Sequence, residues 1–139
     1  MTAAAFTPED RAAVTELLAL HGHLFDDGEL HRLDELFTPD VRYDVTVFGQ
    51  GVLHGPAQIL AAALALAERN PVGHHVTNIV VTPVTDDQVR VRSKGLGVGA
   101  DGSCSSVTYE DVVVRTPGGW RIAHRTVLPR RAPLGGRAR

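Results

Sequence analysis

Cys104 is the only cysteine in this 139-residue chain, so no intramolecular disulfide can form, and a reducing, cytoplasmic setting is expected. Positive charge is not in excess. The formal net charge is −2 and the pI is about 6.4, which argues against binding to nucleic acid or to an acidic membrane surface. No apolar run is long enough to cross a membrane, and residues 1–6 lack the basic start and apolar core of a signal peptide.

Motifs for metals and phosphate-bearing cofactors are also missing. The sequence has no C-x-x-C and no H-x-x-x-H pair on a helix, and the adjacent His74 and His75 would point to opposite faces of a strand. Three glycines, at positions 95, 97 and 99, lie within an expected strand rather than in a loop before a helix. They indicate a bulge or a widened pocket wall, and we predict neither a metal nor a cofactor.

What the chain does contain is an ordinary globular composition, 43% hydrophobic and 22% charged. The length fits one domain over residues 1–139, with a core at about 7–129 and a flexible basic tail at 130–139. Thr7-Pro8-Glu9-Asp10 predicts a helix start with a capping box. The helix that follows carries an apolar stripe of Val14, Leu17, Leu18, His21 and Phe25, and Gly28 ends it.

Two further helices and five strands complete the expected fold. A short helix is predicted through Leu30, Leu33, Leu36 and Phe37, and a third one from Ile59 to Leu66. Alternating apolar and polar residues predict strands at about 41–48, 74–83, 87–98, 104–115 and 119–128. Helices concentrated in the first half and consecutive strands in the second indicate an α+β fold with an antiparallel sheet.

Asp26 and His75 are the strongest candidates for chemistry. Asp26 lies where the first helix ends, and His75 lies near the start of an apolar strand, so the two elements could bring a carboxylate and an imidazole together. Such a pair is suited to general acid–base catalysis. By strict alternation His75 shares a face with Thr77, Ile79 and Val81, and His74 points the other way. A solvated acid at a helix end and a structural histidine are the alternatives.

Several segments, in this order, resemble the SnoaL-like branch of the nuclear transport factor 2 (NTF2-like) superfamily. They are Phe25-Asp26-Asp27-Gly28-Glu29-Leu30, Leu36-Phe37-Thr38-Pro39-Asp40-Val41, His75-Val76-Thr77-Asn78-Ile79, Tyr109-Glu110-Asp111 and Gly119-Trp120-Arg121-Ile122-Ala123-His124-Arg125. The similarity covers about residues 7 to 129. It implies a cone in which a curved antiparallel sheet wraps three helices around an internal pocket, and it implies homodimers formed through the sheet face.

Among these proteins the site residues look most like those of scytalone dehydratase-like members. The resemblance implies that Asp26 orients His75, and that Tyr109 stands where those enzymes have a substrate-binding asparagine. The chain departs from the pattern in two places. A second catalytic histidine is expected near Gly99 and is missing, and a tyrosine is replaced by Phe25. His21 could take the place of the missing imidazole.

Four side chains are predicted to contact substrate: Tyr109, His21, Tyr43 and Phe25. Tyr109 could donate its hydroxyl to a substrate carbonyl, or it could be an amphipathic sheet residue at the mouth of the cone. His21 is either a second pocket imidazole or a core histidine bonded to a backbone carbonyl. Arg125 is expected to pair with a buried acid, because an unpaired buried guanidinium is costly.

The predicted function is that of a cofactor-free acid–base enzyme, a lyase or isomerase of the dehydratase or cyclase type. Its substrate would be an apolar, carbonyl-bearing small molecule such as a polyketide-, terpenoid- or steroid-like compound. The alternatives are a non-catalytic small-molecule-binding protein with the same cone and an interaction module that binds a partner chain on its sheet face. An epoxide hydrolase built on Asp44, Arg42 and Asp111 is disfavoured, because neighbouring strand residues point apart.

Overall fold

Residues 5–137 are described by the structure, a computed structural model of the chain. Two α-helices, α1 (Pro8–Asp26) and α2 (Gly55–Leu66), accompany six strands, together with 3₁₀ helices at Leu30–Glu35, Thr46–Phe48, Ala67–Arg69 and Pro133–Gly136. The strands are β1 (Phe37–Asp44), β2 (Val52–His54), β3 (Gly73–Thr85), β4 (Gln88–Val98), β5 (Cys104–Thr116) and β6 (Gly119–Pro129). Residues 138 and 139 of the predicted basic tail, and residues 1–4, lie outside this range.

The start of α1 is the predicted capping box. The Asp10 backbone N–H donates to Thr7 Oγ1 at 3.1 Å, and the Thr7 N–H donates back to Asp10 Oδ2 at 3.0 Å. Asp10 also accepts hydrogen bonds from Arg115 and from the Trp120 indole, which ties this end of α1 to the β5–β6 hairpin. The predicted apolar stripe faces the sheet, where Val14, Leu17, Leu18 and His21 are buried.

One curved sheet contains all six strands in the order β2-β1-β6-β5-β4-β3. Neighbouring strands are antiparallel, as predicted, except for β1 and β6, which run parallel. These two strands are far apart in sequence, so no hairpin turn sets their relative direction, and strand periodicity carries no information about it. The outer sheet face, with Arg90, Arg92 and Glu110, is exposed, and the homodimer expected through it stays a prediction.

The predicted boundaries were wrong around β1. The second helix ends at Glu35 as a 3₁₀ helix, and Phe37 already belongs to β1. β1 ends at Asp44 rather than at residue 48, because residues 46–48 form a 3₁₀ turn that closes at Gly49 with φ +87°. The three-residue strand β2 was not predicted, since it is too short to show a period.

A β-bulge in β3 decides which side chains face inward. Thr77 pairs with Lys94 and Val80 pairs with Arg92, so β3 uses three steps where β4 uses two. Asn78 absorbs the extra residue in a left-handed conformation, with φ +56°. The alternation of inward and outward side chains therefore changes phase at this point.

Gly22 lets α1 approach β3 closely. A Cβ built on Gly22 would overlap the carbonyl oxygen of His74, so only glycine fits at this crossing. The crossing lies one turn before Asp26, the last residue of α1. The close contact of helix and strand therefore positions Asp26 against the start of β3.

Replacing Gly22 by alanine should destabilise the protein by about 1–3 kcal/mol, the range usual for overpacking. Alanine favours a helix over glycine by about 1 kcal/mol. A loss of stability would therefore come from the steric overlap of the new Cβ with β3. Urea denaturation of the variant and of the wild type measures the difference. A more stable Gly22→Ala protein would contradict the tight packing of α1 on β3.

Within residues 5–137, no helix is both long enough and apolar enough to span a membrane.

Candidate active site

A cavity of about 230 Å³ lies between α1, α2 and the concave face of the sheet. Its wall is mostly apolar and includes Phe25, Val45, Leu53, Ile59, Leu66 and Val107. Among its lining residues Phe48, Gln50 and Ser105 are exposed, whereas His21 is only 1% exposed. The cavity can therefore hold a small, mainly apolar molecule with one end at His21.

Asp26, exposed at the end of α1, forms a hydrogen-bonded pair with His74, which lines the cavity. The His74 Nδ1 and Asp26 Oδ1 atoms are 2.7 Å apart, and the His74 backbone N–H donates to both carboxylate oxygens at 3.0 Å. Because the carboxylate accepts from Nδ1–H, Nε2 is left as the unprotonated nitrogen of the neutral ring. The His74 side chain lines the cavity, so this ring can act on a molecule bound there.

The prediction that His75 faces the pocket and His74 points away was wrong. His74 lines the cavity with Asp26, whereas His75 is exposed and contributes nothing to the cavity wall. Strict alternation relates His75 to Ile79 and Val81, but the bulge at Asn78 inserts one extra residue between them. The bulge puts His74 and Val76 on the inner face with Ile79 and Val81. The candidate imidazole is therefore His74.

His21 is the second imidazole in the cavity. Neither of its ring nitrogens has a hydrogen-bond partner among residues 5–137, so the predicted alternative of a carbonyl-bonded core histidine does not hold. Burial lowers the pKa of His21 well below its usual value of 6.5, and the positive charge of Arg125 lowers it further. At neutral pH this ring is uncharged, with one donor and one acceptor nitrogen.

The depressed pKa of His21 predicts a pH-dependent stability. Below about pH 6.5 the unfolded chain binds a proton at this position that the folded protein does not, so the free energy of unfolding should fall as the pH falls. The contribution is at most about 1.4 kcal/mol per pH unit. Urea denaturation of the wild type and of His21→Leu, from about pH 7.5 to about pH 5.5, measures it. Equal slopes for both proteins would contradict the buried, neutral state of His21.

Tyr109, Tyr43 and Phe25, the other three predicted substrate contacts, line the same cavity. Burial raises the pKa of Tyr109 and of Tyr43, so both phenols keep their protons and can donate hydrogen bonds. A Cβ at Gly95 would overlap the Tyr109 ring, and Gly97 also lines the cavity. The glycines of β4 therefore widen the pocket wall, which was one of the two interpretations of their spacing.

Behind Tyr109 lies a fully buried ion pair. Arg125 Nε donates to Asp111 Oδ1 at 2.7 Å, and Arg125 Nη2 donates to Asp111 Oδ2 at 2.9 Å. The guanidinium carbon is 4.1 Å from the centre of the Tyr109 ring. The buried acid expected for Arg125 is thus Asp111, which removes Asp111 from any role as a free catalytic base.

The described residues bring no group of three or more potential metal ligands together. Gly99, near which a second catalytic histidine was expected, lies at a turn where its N–H donates to the Ser103 carbonyl, and it does not line the cavity. Gln50 and Asn70 are polar lining residues that sequence reasoning missed. Gln50 lies between two glycines and Asn70 precedes a proline, so both belong to turns, where no helical or strand period identifies an inward-facing residue.

In NTF2-like proteins a curved sheet and the helices packed on its concave face enclose an open pocket, and this chain has the same architecture. The family model of the SnoaL-like domain matches residues 7–126, and the chain therefore belongs to this family. An NTF2-like protein with a cystatin-like fold from Novosphingobium aromaticivorans DSM is 28% identical, with a TM-score of 0.75, and the match covers 94% of this chain and 88% of that one.

Two more distant structures share the fold. A candidate scytalone dehydratase from Novosphingobium aromaticivorans DSM 12444 is 18% identical with a TM-score of 0.73, over 88% of this chain and 85% of that one. A type 2 hexachlorocyclohexane dehydrochlorinase, LinA, is 21% identical with a TM-score of 0.74, over 88% and 86%. Comparison with curated proteins finds no match.

Proposed function

We propose that the protein is a cofactor-free acid–base enzyme, a lyase or isomerase that acts on an uncharged, apolar, carbonyl-bearing small molecule. The observation that carries the proposal is His74, which lines an apolar cavity and whose Nδ1 is 2.7 Å from Asp26 Oδ1. A carboxylate that accepts from one ring nitrogen fixes the tautomer and orientation of the imidazole, and it balances the charge of the imidazolium when the ring takes a proton. Polyketide-, terpenoid- and steroid-like compounds have the required character.

In the proposed reaction, His74 Nε2 accepts a proton from a carbon next to the substrate carbonyl. The electron pair of the broken C–H bond forms the enolate, whose oxygen is bound by the hydroxyl of Tyr109. The imidazolium then returns its proton. Delivery to a β-hydroxyl releases water and gives a dehydratase, whereas in a β,γ-unsaturated ketone the enolate is a dienolate, and delivery to its γ-carbon moves the double bond and gives an isomerase. Asp26 stays ionised throughout and holds the ring.

Exchange of α-protons for deuterium tests the proposal without the natural substrate. Cyclic ketones and β-hydroxy ketones are incubated with the protein in D₂O, and loss of the α-proton signal is followed by NMR. We expect the wild type to accelerate exchange of at least one compound, and Asp26→Asn to lose most of that acceleration, since the amide cannot balance the imidazolium. Exchange at the buffer rate for the whole series would count against an acid–base enzyme.

A binding protein without catalysis is the second candidate. One observation favours it: the position near Gly99 lies outside the cavity and adds no imidazole to the site. This candidate predicts saturable binding of apolar ligands, seen as a thermal shift, together with α-proton exchange no faster than in buffer.

A further inference from the structure

The innermost polar group of the cavity is one that the proposed reaction does not use. His21 is 1% exposed, and both of its ring nitrogens lack hydrogen-bond partners among residues 5–137. A buried polar group without a partner is costly, so such groups are normally satisfied by protein, water or ligand. Buried Thr38, Ser93 and Arg125 also carry an unpartnered polar atom, but none of them lines the cavity. Of these four residues only His21 can be satisfied by a molecule bound there.

We propose that His21 is a specificity-determining residue, which binds a hydroxyl or carbonyl oxygen of an uncharged ligand and makes the cavity select neutral oxygen-bearing molecules over hydrocarbons and over anions. The inference rests on the proposed function in that it defines the substrate of the same site. A neutral imidazole offers both a donor and an acceptor, so it can accept from an alcohol or donate to a ketone. A hydrocarbon would leave both nitrogens unpaired.

The charges around His21 argue against an anionic ligand. Arg125, on β6, is held bidentately by Asp111, on β5, so this cation already has its counterion, although its charge still lowers the pKa of His21. Tyr43 and Tyr109 stay protonated. The Asp26 carboxylate, which is bonded to His74, would repel a second anion. A carboxylate or phosphate at His21 would therefore be a buried charge without a counterion.

The position of His21 also relates the bound oxygen to the reacting carbon. Its ring centre is 5.8 Å from that of His74 and 5.9 Å from that of Tyr109. The His21 and His74 rings are nearly perpendicular, with an interplanar angle of 89°. A molecule that places an oxygen at His21 thus brings neighbouring carbons toward His74. The substrate class is a compact, uncharged carbonyl compound with a hydroxyl or ketone oxygen a few bonds from the carbon that loses its proton.

Three monosubstituted benzenes that differ in polarity test this inference: phenol, toluene and benzoate. Their dissociation constants are measured by NMR titration at neutral pH. We expect wild-type protein to bind phenol about tenfold more tightly than toluene, and benzoate more weakly than phenol. In His21→Leu the preference for phenol over toluene should disappear. His21→Gln keeps a donor and an acceptor and should retain it, and His23→Leu, exposed on the same helix, is the matched control.

The inference is overturned if phenol does not bind, if toluene or benzoate binds as tightly as phenol, or if His21→Leu keeps the preference. Should His21→Leu fail to fold, the ¹⁵N shifts of the His21 ring in the wild type replace it: they must move with phenol and stay with toluene. The same titrations in His74→Gln separate the two proposals. Preferential phenol binding by a protein without any exchange activity would refute the enzyme and support the role of His21.

Discussion

Replacing His74 by glutamine is expected to reduce the rate of α-proton exchange by about 10²–10⁴-fold, the usual contribution of a positioned general base. Glutamine has a similar size and can still donate to Asp26, but it cannot accept a proton from a carbon acid. The hydrogen bond between the backbone N–H of residue 74 and the Asp26 carboxylate is independent of the side chain and should persist. The fold should therefore survive while the activity is lost.

His75→Gln is the matched control, because it makes the same change one residue further along the same strand. His75 is exposed and lies outside the cavity, so this variant should keep wild-type exchange rates. The pair of variants distinguishes the geometry of the bulged strand from the strict alternation that the sequence suggested. A large loss in His75→Gln with little change in His74→Gln would reverse the assignment.

Loss of the Asp111 carboxylate is expected to be the most destabilising single change in the chain. Asp111→Ala leaves Arg125 as an uncompensated charge in a position where both side chains are fully buried, and breaking such a pair costs about 3–5 kcal/mol. The Arg125 guanidinium also packs on the Tyr109 ring, so the substitution should also displace Tyr109 in the cavity wall. Urea denaturation, with circular dichroism as the signal, measures the free energy of unfolding.

Two comparisons give this experiment its meaning. Asp87→Ala removes an aspartate that pairs with Arg115 at the surface, where the Asp87 side chain is 62% exposed, and it should change the stability far less. The double variant Asp111→Leu, Arg125→Met replaces the buried pair by apolar side chains and should recover much of the lost stability. If Asp111→Ala is no less stable than Asp87→Ala, the buried pair does not contribute as its geometry indicates.

Local sequence signals accounted for most of the secondary structure. The Thr7–Asp10 capping box, the stripe through Leu18 and His21, and the strands over residues 74–128 were all visible as caps or periods. The ends of β1 and the strand β2 were not, because a 3₁₀ turn and a three-residue strand have no period to read. The α+β class follows from the order of these signals, whereas the parallel pairing of β1 with β6 does not.

The sequence identified only part of the candidate site. Asp26, His21, Phe25, Tyr43 and Tyr109 were identified from their positions, and each lies at the cavity or, for Asp26, in contact with the imidazole that lines it. The imidazole itself was assigned one residue too far along. Nothing in the local sequence told a bulge at Asn78 from an ordinary strand position, although asparagine is among the residues that tolerate a left-handed backbone.

By itself the sequence determined the helix caps, the apolar stripe of α1, the run of consecutive strands and the acid at the end of the first helix, because each depends on neighbours a few residues apart. The tertiary structure alone decided that His74 meets Asp26, that Asp111 pairs with Arg125, and that His21 is buried without a partner among residues 5–137. These facts depend on the register of β3 on β4 and on the approach of α1 at Gly22. Registers and close approaches are set by packing across the whole sheet, which no local pattern records.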